Sequence, residues 1–277
     1  MVSRNTRSLA KFRGALVLVG AGKMGSAMLD GWLARGLKPK QITVIEPYPG
    51  KAIKALKRRG VRLNPTGKAA TAAAIVIAVK PQTAPEAVPT LGAYVGKSTL
   101  VLSIMAGRTI GFLERSLPGA AIVRAMPNTP AAIGRGISVA IANAKISASQ
   151  QKLAGELLAA IGTVEWAGNE ALMDAVTALS GSGPAYVFLL AEAMANAGIA
   201  AGLPPALATR LAQETVAGSG ELLHHSTSGA AVLRKNVTSP GGTTAAALEV
   251  LMGPGGFDEL LTRAIAAATR RSRELAG

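Results

Sequence analysis

The 277-residue chain contains no cysteine. Disulfides, thiolate nucleophiles and thiolate metal sites are thereby excluded together. Histidine is nearly absent as well: only His224 and His225 occur, side by side. Neighbours on a helix point in different directions, so this pair cannot clamp one metal from one face, and no metal site is expected. Aromatic residues make up 3% of the chain. The core must therefore be built from Ala, Val, Leu and Ile, and base stacking on aromatic platforms is ruled out as a binding mode. Acids are scarce: 15 Asp and Glu stand against 30 Lys and Arg, a net charge of +15. That balance favours anionic partners. The charges are dispersed, and the densest groups, "KALKRR" (Lys54–Arg59) and "RRSR" (Arg270–Arg273), read as solvated helix faces. Small phosphate-bearing ligands suit this pattern better than nucleic acid does.

Long apolar runs are missing too. The window Ala69–Val79 is too short to cross a bilayer, and Pro184–Ala201 carries Glu192 and Asn196. The opening stretch "MVSRNTRSLAKFR" is basic and has no apolar h-region, which excludes a secretory signal. Residues 1–14 are expected to be a frayed extension, and the protein to be soluble, cytoplasmic and not membrane-bound.

What is present is an alternation. "ALVLVG" (Ala15–Gly20), "ITVIE" (Ile42–Glu46), "AIVIAV" (Ala74–Val79), "TLVLSI" (Thr99–Ile104), "AIVRA" (Ala121–Ala125) and "ISVAIA" (Ile137–Ala142) read as strands between helical stretches. Near-continuous apolar strands between helices indicate a parallel sheet covered on both faces. After about Asn169 the strands stop, and Ala171–Ser180, Pro184–Ala201, Pro205–His225, Thr243–Leu251 and Phe257–Leu275 read as helices. The expected fold is α/β, a Rossmann-like doubly wound sheet over residues 15–168, followed by an all-helical domain over 169–277. The Pro184–Ala201 helix is apolar nearly all round, and a helix of that kind must be buried on most sides. In so small a domain it calls for a partner chain.

"GAGKMG" (Gly20, Ala21, Gly22, Lys23, Met24, Gly25) directly follows an apolar strand and opens a helix. In that context the G-x-G-x-x-G spacing predicts a dinucleotide site. Gly20 makes the tight turn, Gly22 lets the backbone approach a pyrophosphate, and Gly25 lets helix and strand pack closely. Glu46, at the end of the second strand, suits a ribose 2′-hydroxyl and argues for NAD, while Tyr48, Lys51 and Lys54 just beyond can receive a 2′-phosphate; NADPH and NADH both stay open. "AVKP" (Ala78, Val79, Lys80, Pro81) ends a strand at the point where strand order reverses, which places Lys80 near the cofactor's ribose or nicotinamide. "SIMAG", with Ala106 and Gly107, and "MPNTP", with Asn128 between prolines, follow the next two strands at the same sheet edge. Asn128 suits a pocket wall facing nicotinamide and substrate.

In the helical half, "SGSGPAY" (Ser180–Tyr186) and "VTSPGGTT" (Val237–Thr244) each open a helix with small donors. Ser182 can cap the first. The second, with Pro240, Gly241, Gly242, Thr243 and Thr244, offers amides and hydroxyls for a carboxylate. Two well-capped helices are the plainer alternative. No Ser/His/Asp set and no catalytic carboxylate pair emerges. Reduction of a ketone needs a proton donor for the alkoxide, whereas hydride delivery to a protonated imine neutralises charge and needs mainly orientation and water exclusion.

"GAGKMG", "AVKP", "SIMAG", "MPNTP", "LSGSGPAY" and "VTSPGGTTAAAL" occur in the order and spacing of one family. From about Ala15 to Leu275 the chain resembles pyrroline-5-carboxylate reductase. The resemblance implies a helical dimerisation domain after the Rossmann-like one, a homodimer that assembles further into a pentamer of dimers, and reduction of 1-pyrroline-5-carboxylate to L-proline with NADPH or NADH, the final step of proline biosynthesis. It further implies that Pro240–Thr244 bind the substrate carboxylate, that Thr244 is the catalytic residue beside the ring nitrogen, and that Ala78–Pro81 with Ala106 and Gly107 line the nicotinamide side. Gly67 and Glu46 depart from the residues common at those positions, and "SGAAV" replaces a His-Pro pair before Leu233. Another imine reductase or a β-hydroxyacid reductase of similar architecture is the alternative; the latter relies on a lysine in the second domain, where only Lys235 is found.

Overall fold

The computed structural model describes residues 8–67 and 69–276. Their strands form one eight-stranded sheet in the order β3-β2-β1-β4-β5-β6-β7-β8. The strands are β1 Leu16–Val19, β2 Ile42–Ile45, β3 Arg62–Leu63, β4 Ala74–Ile77, β5 Leu100–Ser103, β6 Ala121–Met126, β7 Gly136–Ala142 and β8 Gly162–Trp166. β1 lies between β2 and β4, parallel to both, with Val19 level with Ile45 on one side and Ile77 on the other. The chain winds outward from β1 to β3, then returns to β4 and winds the other way. The carboxyl ends of β1 and β4 therefore border the crevice where the order reverses, the usual ligand position in such sheets.

The sheet is covered on both faces because successive side chains of a strand point to opposite sides. Leu16 and Leu18 of β1 join one buried cluster with Met28, Leu29 and Trp32 of α1 (Lys23–Ala34), Ile53 of α2 (Lys51–Leu56) and Leu157 and Leu158 of α5 (Ala148–Ala159). Val17 and Val19 join the other, with Ala84 and Val88 of α3 (Ala84–Thr90) and Leu113 of α4 (Ile110–Ser116). Trp32 is fully buried, and its indole N–H donates to the Leu157 carbonyl at 2.9 Å, so the largest side chain of the core leaves no orphan donor.

Three features of the sheet and of the chain before it differ from the sequence reading, and in the helical half Ala171–Ser180 is not one α-helix while Ala230–Asn236 is an unexpected one. β7 runs antiparallel to β6, because the connection, residues 127–135, is too short for the crossover that a parallel pair needs. β3 and β8 were not expected; β3 is two residues long, and β8 alternates in burial as an edge strand does. The extension is not frayed where it is described. Leu9 is 1% exposed within the first cluster, its N–H donates to the Arg35 carbonyl, and Gln41 Nε2 donates to the Phe12 carbonyl at 2.9 Å. Residues 1–7 lie outside the described residues.

The chain divides into a first unit, up to Gly181 and again from Thr269, and a second, Ser182–Ala268. Residues 169–181, with α6 (Met173–Val176) and a π-turn (Thr177–Gly181), thus stay with the sheet rather than with the helices that follow. The second unit comprises α7 (Gly183–Ala200), α8 (Pro205–His225), α9 (Ala230–Asn236), α10 (Thr243–Met252) and most of α11 (Phe257–Ala276). A turn at Gly202 folds α8 back on α7, and the two meet through small residues: a Cβ on Gly198 would lie 3.3 Å from the Ala208 Cβ, and Ala195, Ala208 and Ala212 are buried. Much of α7 still faces outward, with Phe188 and Leu189 68% and 64% exposed in the single chain. Apolar surface of this extent marks an interface. The last turns of α11 belong to the first unit, where Ser272 Oγ donates to Asp174 at 2.7 Å. No helix among the described residues is long and apolar enough to cross a membrane.

Because Leu9 fills a core position, Leu9→Ala is expected to destabilise the first unit by about 3 kcal/mol. Equilibrium urea unfolding checks this: the midpoint falls while the slope is unchanged.

Candidate active site

β1 ends at Val19, and the turn after it is built from contacts that only glycine permits. Gly20 has φ +89°, and a Cβ there would lie 2.6 Å from the Ala78 carbonyl oxygen. A Cβ on Gly25 would collide with the Gly20 carbonyl oxygen. Gly22 is the opposite case: a Cβ there meets nothing within 4 Å, so nothing in the fold itself demands glycine at that place. Gly22 is also the N-cap of α1, which has no side-chain cap and no acid in its first turn. Open space in front of uncapped helix amides fits a pyrophosphate, with the exposed Lys23 beside it. Ser26 Oγ donates to the Ala21 carbonyl at 2.8 Å and fixes the loop, while Met24 packs against the core.

Glu46 follows β2 and is half-buried. Its Oε2 accepts from the Ala21 N–H at 2.8 Å and its Oε1 from the Tyr48 N–H at 3.0 Å. The side-chain amide of Asn64 grips the backbone of the same residue twice, accepting from Glu46 N and donating to Glu46 O, each at 2.8 Å. The acid is thus fixed against the glycine loop, where a ribose would lie. Tyr48 is 91% exposed beside it.

The loops after β4, β5 and β6 come to the same sheet edge. Ala78 N–H donates to the Val19 carbonyl at 2.7 Å, which joins the end of β4 to the glycine turn. Val79 packs on the second cluster and Lys80 is exposed. Arg108, one residue past Ala106 and Gly107, donates from Nε and Nη2 to the Pro81 carbonyl at 3.0 and 2.8 Å and lies over the Phe112 ring. The Glu170 carboxylate accepts from the Ile110 N–H at the start of α4 and pairs with the buried Arg124 of β6 at 2.7 Å. Asn128 Oδ1 accepts from the Ile137 N–H at 2.9 Å, which ties the "MPNTP" loop to β7. The residues expected to hold a dinucleotide therefore converge in the first unit, together with Asn128. Asn64, Arg108 and Glu170 were not singled out by the sequence, because each acts on a partner far along the chain.

The substrate-side candidates Ser182 and Pro240–Thr244 lie in the second unit. Ser182 does not cap by its side chain: it is helical, at φ −86° and ψ −22°, because the π-turn runs on into α7. Its neighbour Ser180 has a buried hydroxyl with no partner. At the other motif, Gly241 adopts φ +67° and Gly242 becomes the N-cap of α10. No side chain caps α10 and no acid occupies its first turn. Thr243 is exposed and Thr244 half-buried in that turn. Uncapped amides beside two hydroxyls are the kind of group that can hold an anion. Lys235, at the end of α9, is exposed.

Residues 170–275 match the family described as pyrroline-5-carboxylate reductase dimerisation, and residues 15–107 the family described as NADP oxidoreductase coenzyme F420-dependent. A pyrroline-5-carboxylate reductase of Synechocystis sp. is 40% identical over 94% of this chain and 97% of its own length. The chain belongs to the pyrroline-5-carboxylate reductase family. A second member, from Pseudomonas aeruginosa, is 39% identical over 94% of this chain and 96% of its own. The solved reductase of Coxiella burnetii superposes with a TM-score of 0.87 at 34% identity, covering 95% of this chain and 99% of that one. The Plasmodium falciparum pyrroline carboxylate reductase, solved with NADP bound, superposes at 0.79 with 29% identity, covering 96% and 99%. As a member of this family the chain is an NAD(P)H-dependent oxidoreductase, and its dimerisation domain makes it a homo-oligomer, which accounts for the exposed apolar face of α7.

The glycine loop gives a paired prediction. Gly22→Ala should leave the melting temperature unchanged yet weaken dinucleotide binding by at least about tenfold, because the methyl enters the ligand's space alone. Gly25→Ala should lower the melting temperature outright, because its methyl meets backbone. Thermal unfolding and fluorescence titration with NADH and NADPH separate the two.

Proposed function

We infer that the chain reduces 1-pyrroline-5-carboxylate to L-proline, the final step of proline biosynthesis. The observation that carries this reading is the uncapped, glycine-opened first turn of α10 in a chain that also has a dinucleotide turn. A bound nicotinamide dinucleotide, NADPH or NADH, supplies the hydride.

The residues of the chain bind and orient. The amides at Gly242 and Thr243, after the rigid Pro240–Gly241 turn, hold the substrate carboxylate by charge-assisted hydrogen bonds. The Thr244 hydroxyl accepts a hydrogen bond from the protonated ring nitrogen, which keeps the imine cationic and its carbon electrophilic. Ser182, in the same unit, and Asn128, in the sheet unit, are each assigned a polar contact with the substrate. Ala78–Pro81 with Ala106 and Gly107, braced by Arg108, wall off water from the nicotinamide side. Hydride adds to the imine carbon, which becomes Cδ of proline; the C=N π electrons pass to nitrogen and cancel its positive charge. No oxyanion develops, so no histidine or lysine acid is needed.

The same reading places the enzyme in the cytoplasm as a pentamer of dimers. Light scattering on a size-exclusion column should return the mass of ten chains if the pentamer forms, and of two if assembly stops at the dimer.

Steady-state assay tests the reaction. NADH or NADPH should be oxidised only when the imine is supplied, with proline as product. Thr244→Ala should lower kcat about 100-fold, the usual loss for one preorganised donor or acceptor at the reacting centre, with an unchanged circular dichroism spectrum. An unaltered kcat in that variant would remove Thr244 from the mechanism.

A further inference from the structure

The relative solved with a dinucleotide carries NADP, and residues 15–107 match a family described by NADP. The end of β2 in this chain is built for something else. We propose that Glu46, held in place by Asn64, makes this chain select NADH and reject NADPH. The inference rests on the dinucleotide part of the reading above.

The geometry supports it at three levels. Glu46 follows Ile45, the last residue of β2, so its carboxylate stands beside the glycine turn rather than out in water, and it is half-buried there. Both its oxygens are occupied by backbone donors, Ala21 N–H at 2.8 Å and Tyr48 N–H at 3.0 Å. These two bonds hold the carboxylate in one place beside the glycine turn. The remaining lone pairs of the carboxylate can accept from a 2′-hydroxyl, whereas a 2′-phosphate would meet a fixed like charge.

Asn64 makes that charge difficult to move aside. Its side chain clamps both backbone groups of Glu46, and its own N–H donates to the Val44 carbonyl at 2.8 Å. It does this from φ +45°, a left-handed conformation that asparagine tolerates better than most residues. Asn64 is therefore a positioning residue, acting on the cofactor through Glu46. The cations that would favour the phosphate, Lys51 and Lys54, stand exposed on α2, where an ammonium–phosphate pair is screened and worth little.

The test is direct binding to the assembled 277-residue protein, followed by nicotinamide fluorescence with NADH and with NADPH, without the imine. NADH should bind at least about tenfold more tightly. Glu46→Gln should bring the two dissociation constants within about threefold of each other, chiefly by strengthening NADPH. Asn64→Gly, which keeps the left-handed backbone and removes only the side-chain clamp, should narrow the gap in the same direction by strengthening NADPH while NADH affinity stays within about threefold of the parent, a pattern that general destabilisation would not give. NADPH binding as tightly as NADH in the parent protein, or an unchanged ratio in Glu46→Gln, overturns the proposal and hands the choice to the lysines. The two readings fail separately. Imine turnover with equal affinity for both dinucleotides sinks only the cofactor selection; tight, selective NADH binding without imine turnover sinks only the assigned reaction.

Discussion

The close approach of the β1–α1 turn to the end of β4 is the constraint on which the rest of the structure depends. Gly25 packs beneath the Gly20 carbonyl, Gly20 packs against Ala78, and Ala78 N–H reaches the Val19 carbonyl. These contacts are backbone to backbone, so they set the separation of strand and helix without any adaptable side chain between them. They hold the helix N-terminus at the crevice where the strand order reverses. Glu46 from β2, the "AVKP" loop from β4 and Arg108 from beyond β5 are arranged around that point.

The two units meet different physical demands. The sheet unit is self-sufficient: β1, β4 and β5 are buried along their whole length, and helices cover both faces. Its loops are braced by charged groups that act on backbone or on one another, such as Arg108 on Pro81 and Glu170 on Ile110 and Arg124. The helical unit is not self-sufficient. Its α7–α8 seam is made of Ala and Gly, which allows the helices to approach closely but buries little apolar area per residue. Phe188 and Leu189 are left for a second copy to cover.

The sheet and the glycine turn were legible in the sequence because their signals are local. A run such as "LVLV" states its own burial, and the spacing of Gly20, Gly22 and Gly25 encodes a turn within six residues. The position of Glu46 was legible for the same reason. What escaped was set by distant partners. Asn64 matters only because it meets Glu46, 18 residues away, and Glu170 only because it meets Arg124, 46 residues away. The reversal of β7 follows from loop length rather than from strand composition. Leu9 sits in a basic stretch whose composition says extension, yet one apolar side chain finds the core at the end of α1. Ser182 has the composition of a cap, but the helix before it does not end.

The central claim is that hydride passes directly from the dinucleotide to the imine carbon of a substrate whose carboxylate sits on α10. The most direct measurement is isotopic: NADH stereospecifically deuterated at the transferring C4 position is incubated with the enzyme and 1-pyrroline-5-carboxylate in ordinary water, and the proline is examined by NMR and mass spectrometry. Transfer as described puts the deuterium on Cδ of proline, on one face only. Proline without deuterium at Cδ, or deuterium on both faces, would contradict it.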